Sequence, residues 1–201
     1  MIARSPTIKR PKLDPALQAR LPPGQILAKR WPVRHEGAIP PFDPETWTLR
    51  VWGCVARPME WSWEAVQAAP RITVTADMHC VARWSALDLV WSGIPLGEVM
   101  ARTEVSPEAR FVVFHGEGGY TANLPLAALT PDALLATALD DAPLPAARGG
   151  PLRLIVPNRY AWKSVKWLRG IEFARDDAPG FWERYGYSAT ADPWTEDRFA
   201  R

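Results

Sequence analysis

The chain has 201 residues, 47% of them hydrophobic and 23% charged, with a formal net charge of +2 at pH 7. That length supports one large domain with a self-sufficient core, and the small net charge removes the case for a nucleic-acid or general polyanion binder. Two cysteines, Cys54 and Cys80, make no disulfide framework, and no apolar run approaches the ~20 residues that span a bilayer.

Residues 1–24 are polar and proline-punctuated, ending in Pro22-Pro23-Gly24. They read as an arm over the surface, with the domain proper at 25–201. The arm has no apolar signal core and no twin-arginine motif, so a cytoplasmic location is expected. Residues 31–45 hold four prolines and read as ordered loop. From Thr46 to Trp52 the chain alternates, with Trp47, Leu49 and Val51 on one face, which predicts a strand. Ser62 suits the N-cap of a short helix through Gln67, which Pro70 stops. Arg71 to Ala76 alternates again and runs into Asp77-Met78-His79-Cys80. Pro95 to Ala101 reads as a helix with proline at its first position. Phe111–Phe114 and Tyr120–Leu124 form an antiparallel pair about a turn at Gly116–Gly119. The stretch after Thr130-Pro131-Asp132 fits either a helix or a buried strand over Leu134–Leu139, and both readings stand. Leu152–Val156 and Ile171–Phe173 are short buried strands, and Phe181–Tyr185 is a helical turn. Short strands, many turns and few helices make a strand-rich α+β domain.

A triad hydrolase and a zinc enzyme lack their parts here. There is no Gly-x-Ser-x-Gly and there are three histidines, His35, His79 and His115. His79 and Cys80 are neighbours on a strand and so face opposite sides, which makes a poor zinc site. Cys80 ends its strand where an irregular, charged segment begins, a common place for a site. His79 and Arg83 are the candidates for stabilising its thiolate; a small buried apolar role is the other reading. A second constellation is Arg148-Gly149-Gly150-Pro151-Leu152-Arg153 with Lys163-Ser164-Val165-Lys166. Glycines allow close backbone approach, and Arg and Lys beside free N–H groups suit a phosphate; a solvated basic edge is the alternative. The 11 tryptophans read either as packing residues or, in part, as walls of a ligand cleft.

The stretch Asp77-Met78-His79-Cys80-Val81-Ala82-Arg83-Trp84-Ser85, followed by Trp91-Ser92-Gly93-Ile94-Pro95-Leu96, resembles the molybdenum-cysteine segment of the sulfite-oxidase family. Gly118 to Leu126 resembles the family's next block. Gly149 to Pro157 together with Tyr160 to Leu168 is its most specific block, and Phe181-Trp182-Glu183, Tyr185-Gly186-Tyr187 and Asp192-Pro193-Trp194 close the match. The order holds from about residue 22 to the C-terminus. The resemblance is to the short, single-domain branch, related to the catalytic subunit of periplasmic protein-methionine-sulfoxide reductase.

That resemblance implies a molybdopterin-binding fold of the sulfite-oxidase type and a Mo-molybdopterin cofactor, with Cys80 as the one protein ligand of the metal. It implies cofactor binding by Arg153, Ser164, Val165 and Lys166. Arg148 stands where relatives carry Asn or His and is assigned to the cofactor with them. Arg34 matches a residue against pterin and substrate, and His35 lies one residue from such a position. His115 lies near a cofactor contact, and Tyr185 resembles an active-site tyrosine. Arg34, Arg83 and Tyr185 are thereby expected at the catalytic face beside Cys80. The implied activity is oxygen-atom transfer on an S-oxide, N-oxide or sulfite-like small molecule. Electrons would pass to or from a separate cytochrome, flavoprotein or quinone-linked subunit. The rival reading is a non-catalytic ligand-binding module on the same fold.

Overall fold

The structure, a computed structural model, describes residues 13–200. The first half of the expected arm, residues 1–12, lies outside the described residues. In chain order the elements are α1 (Pro15–Ala19), β1 (Ile26–Leu27), β2 (Thr48–Gly53), β3 (Met59–Ser62), α2 (Trp63–Ala68), β4 (Ile72–Cys80), β5 (Trp84–Pro95) and α3 (Leu96–Thr103). They continue with β6 (Phe111–Gly116), β7 (Thr121–Pro125), β8 (Leu134–Leu139), β9 (Ala142–Pro143), β10 (Arg153–Ile155) and β11 (Leu168–Ala174). One six-stranded sheet runs β1-β5-β8-β10, with β4 also on β5 and β9 on β8; a five-stranded sheet runs β3-β2-β11-β6-β7. The fold is strand-rich and mixed, as expected.

The six-stranded sheet separates two cores. Leu135 and Leu154 face a large core shared with Leu49, Val51 and Phe114, while Leu134 and Ile155 face a smaller one built on Trp91, Met78 and Leu89. A strand buried on both faces shows a continuous apolar run rather than alternation. This is why Leu134–Leu139 is a strand, although its Leu and Ala residues suit a helix. On β2, Leu49 and Val51 enter the large core while Arg50 stays exposed, the face assignment its alternation predicts.

Local chemistry sets the ends. Ser62 caps α2, its Oγ accepting from the Ala65 N–H at 3.2 Å. Helix α3 begins at Leu96, one residue later than expected, because Pro95 keeps extended geometry (ψ 133°) as its cap. The described part of the arm is pinned to β4: Arg20 sits 2.6 Å from Asp77 and 2.7 Å from Asp88. Those carboxylates occupy a register irregularity between β4 and β5, where Asp88 takes φ 59° and its N–H donates to Asp77 at 3.0 Å. The strand β5 goes beyond the elements that sequence alternation predicts.

Candidate active site

A cavity of about 500 Å³ opens where the end of β4, the start of β10 and several irregular segments meet. The end of β4 contributes Met78 and Cys80 to its wall. The loop before β2 contributes Arg34, His35 and Glu36, and the segments around β10 contribute Arg148, Arg153, Ser164 and Lys166. Five of the 11 tryptophans, Trp31, Trp84, Trp162, Trp167 and Trp182, complete much of the remaining wall. The wall-forming reading of the tryptophans therefore applies to these five.

Cys80 is presented by a tight turn. The Arg83 N–H donates to the Cys80 carbonyl at 3.0 Å, Gln25 Nε2 donates to it at 3.1 Å, and Arg83 adopts φ 68°. Burial pushes the Cys80 thiol up, and the Ala82 N–H and the charges of Arg34 and Arg198 offset this only in part. A free thiol so placed stays protonated at neutral pH; a bound metal would hold it as thiolate. The expected helpers are elsewhere. His79 is buried facing the other way, its Nδ1 2.8 Å from Ser85 Oγ. Arg83 projects from the turn toward Glu196, at 3.7 Å, and does not line the cavity. Arg34 and Arg198 take the place foreseen for His79 and Arg83.

The cationic wall is more crowded. Arg153 is buried, donating to the Arg148 carbonyl at 2.6 Å and the Ser164 carbonyl at 2.9 Å. Its Nε is buried with no partner among the described residues, which is costly unless something binds there. Lys166 Nζ donates to the Ala147 carbonyl at 2.7 Å. Burial, then Arg153 and Arg148, push the Lys166 ammonium down to about 7. Burial and Arg148 likewise lower Arg153. Glu36 is the one carboxylate among the described lining residues. Three mutually repelling cations around an unpartnered donor call for an anion. Of the backbone N–H groups in the segment 164–166 assigned to the cofactor, Ser164 donates to Ala161 and Val165 to Lys163. The Lys166 N–H donates to no protein group among the described residues. The Val165 side chain is packed in the large core.

Lys166 protonation gives a pH signature. It is charged below about 7 and neutral above. A charge-assisted hydrogen bond is worth about 1.5–3 kcal/mol, so sulfate, whose charge is fixed over this range, should bind the cofactor-free protein about tenfold more weakly at pH 8.5 than at pH 5.5. Calorimetric titration reads this, and Lys166→Ala should flatten the profile. A wild-type affinity that does not change with pH would remove Lys166 from the anion site.

Two further expected residues stand apart. His115 projects from β6 beside Trp52, ring centroids 4.9 Å apart, with Nε2 3.0 Å from Glu172; it does not line the cavity. Tyr185 is 70% exposed on the surface, whereas Tyr187 and Trp182 line the cavity. Tyr120, also unforeseen, contributes to the wall and donates to the Trp162 carbonyl at 2.7 Å.

The donor set fits a molybdopterin cofactor better than a metal bound by protein alone. Among the described residues no group of three or more His, Cys, Asp or Glu could hold a metal ion. A single soft thiol instead suits a metal that arrives with sulfur ligands of its own. The unpartnered Arg153 Nε and the free Lys166 N–H suit the phosphate such a cofactor carries.

Comparison with known proteins agrees. Residues 36–182 match the family model described as the oxidoreductase molybdopterin binding domain. The chain is 45% identical over 182 residues to the uncharacterized oxidoreductase YuiH of Bacillus subtilis, covering 90% of this chain and 92% of that protein. It is 30% identical to the protein-methionine-sulfoxide reductase catalytic subunit MsrP of Gluconobacter oxydans, covering 76% of this chain but 56% of that longer protein. The sulfane dehydrogenase SoxCD of Paracoccus pantotrophus shares the fold, with TM-score 0.67 at 18% identity over 92% of this chain and 58% of that one. The chain therefore belongs to the oxidoreductase molybdopterin-binding family and is a sulfite-oxidase-like molybdopterin oxidoreductase related to MsrP.

Proposed function

We propose that the chain reduces a small S-oxide, with N-oxides and the reverse oxidation of a sulfite-like compound as neighbouring chemistries, using molybdenum carried on one molybdopterin. The observation that carries this is one cavity lined by both the Cys80 thiol and the Arg148, Arg153 and Lys166 cations. The likeness to MsrP, named for methionine-sulfoxide reduction, supports the S-oxide assignment.

When bound, the cofactor supplies the two-electron oxygen-atom transfer. The chain's part is to hold and orient. Cys80 anchors the metal end. Arg153, Lys166 and the Lys166 N–H anchor the phosphate. Arg34 places a positive charge at the thiol, where it favours a dipolar or anionic oxygen donor. The tryptophan wall reduces water access and lowers the local dielectric. Reduction of an S-oxide consumes two electrons and two protons and releases water. The electrons come from a separate cytochrome, flavoprotein or quinone-linked subunit, consistent with the MsrP relative being named a catalytic subunit.

The test has two arms. Elemental analysis of purified protein should find molybdenum and molybdopterin. Protein reduced with dithionite and desalted should then be reoxidised by an S-oxide. Turnover with sulfite alone replaces the reductase reading with an oxidase one. Loaded protein that reacts with neither leaves the non-catalytic module as the better description. Arg153→Ala or Lys166→Ala should lower molybdopterin occupancy about tenfold or more at limiting cofactor, since each removes ~1.5–3 kcal/mol of charge-assisted bonding. Normal occupancy in the double variant would overturn the anchor.

A further inference from the structure

The resemblance implies that Arg148 binds the cofactor, yet its donors point elsewhere. Its two terminal nitrogens donate to the carbonyls of Trp31 (2.7 Å) and Pro32 (3.0 Å). Its guanidinium carbon lies 3.8 Å from the centroid of the Trp31 ring. This is a fork bound to two adjacent carbonyls and stacked on the ring of the first. Such a site suits arginine, because lysine has neither the planar fork nor the stacking face.

The segment it grips has few other ties. Among the described residues, 29–42 neither give nor accept a main-chain hydrogen bond to main chain, and no helix or strand includes them. His35 packs edge-on against Trp167 at 5.3 Å, and its Nδ1 contacts the Gly37 carbonyl at 2.9 Å, within the segment itself. The Trp31 ring packs edge-on against buried Trp91 at 5.8 Å. Yet this strap supplies Arg34, His35 and Glu36 to the cavity wall, and Arg34 is one of the charges that bear on the Cys80 thiol. A strap without backbone pairing is a low-stability unit; side-chain anchors must fix where its charges sit.

We propose that Arg148 is a positioning residue that staples the 31–36 strap over the cavity and so sets Arg34 and His35, rather than a ligand of the cofactor phosphate. The stapling stands on geometry alone; its effect on catalysis rests on the proposed function above. Arg148 serves both walls at once. Its side chain holds the strap, while its own carbonyl accepts from Arg153. The strap and the phosphate site are thereby linked through one residue.

The Arg34–His35 bond is a trypsin site within the strap, so limited proteolysis of the cofactor-free protein reads the staple directly. Cleavage in a locally opened segment tracks the population of the open form. Arg148→Met keeps the bulk and removes the donors; it should speed cleavage after Arg34 by about tenfold or more with unfolding otherwise unchanged. Arg148→Lys separates fork from charge. The staple requires the fork, so the lysine variant should be cut nearly as fast as the methionine one, with molybdopterin occupancy falling much less in both than in Arg153→Ala. In loaded protein, KM for the S-oxide should rise more than kcat falls, because Arg34 is displaced while the metal anchor stays. Wild-type cleavage in Arg148→Met overturns the staple. Rescue of both protection and occupancy by Arg148→Lys overturns it too, and returns Arg148 to the phosphate. If loaded wild-type protein fails to turn over S-oxides while the cleavage pattern holds, the proposed function falls and the staple stands.

Discussion

Cys80→Ser is expected to lower S-oxide turnover by more than about 100-fold, beyond the 10–100-fold typical of losing an outer-shell partner of a metal site. The change is one atom in a turn whose backbone is fixed by the Arg83 N–H and Gln25, so the fold has little to lose. What goes is the proposed soft ligand. A serine hydroxyl is harder and far less acidic, and nothing else in the cavity replaces it, because the described residues offer no cluster of metal-ligating groups. The phosphate anchor does not involve Cys80, so molybdopterin content should fall much less than turnover. Kinetics and X-ray absorption at the molybdenum edge check both halves, the latter expecting one protein sulfur fewer. Cys54→Ser is the control: Cys54 lies against the large core, outside this cavity, and its variant should turn over normally. Full activity in Cys80→Ser with unchanged sulfur coordination would end the proposal that this thiol holds the metal.

The chain order made some of this legible and hid the rest. Cys80, Arg153 and Lys166 sit in contiguous motif blocks, and the structure brings those blocks to one cavity. Residues placed by local backbone geometry were harder to read. Arg83 is three positions from Cys80, but the turn between them puts Arg83 in a left-handed conformation and sends its side chain to Glu196. Tyr185 and Tyr187 flank Gly186, whose φ of 85° reverses the chain; that reversal leaves the first tyrosine in solvent and the second in the wall. His115 follows Phe114 on β6, and since Phe114 enters the large core, pleating alone directs His115 to the opposite face. Strand β5 carries no clean alternation, because an Asp at positive φ and register shifts break it. Trp31 and Arg148 are more than a hundred residues apart, so nothing local announces their contact.

Lys163→Met is expected to destabilise the protein by ~3–5 kcal/mol, the cost of breaking a buried ion pair from one side. Lys163 is fully buried, with Nζ 2.5 Å from Glu183 Oε1 and 2.6 Å from the Asn123 carbonyl. Burial pushes its ammonium down and Glu183 pulls it back up, so the pair holds its charges jointly. Glu183 Oε1 also accepts from Trp162 Nε1 at 2.8 Å, while its Oε2 is buried without a partner among the described residues. Removing the ammonium strands a carboxylate that already lacks one bond. The damage should spread to the cavity, because this pair ties Trp162 to the segment bearing Trp182 and Tyr187. Those three side chains form one aromatic contact group, with Trp162–Tyr187 centroids 5.4 Å apart and Trp182–Tyr187 5.2 Å. Lys163→Met/Glu183→Leu should recover part of the loss, since two apolar side chains leave no uncompensated charge. Urea denaturation of the cofactor-free variants measures all three states. A loss below ~1 kcal/mol in Lys163→Met, the range of exposed pairs, would mean that the pair is solvated in solution and does not hold the aromatic wall.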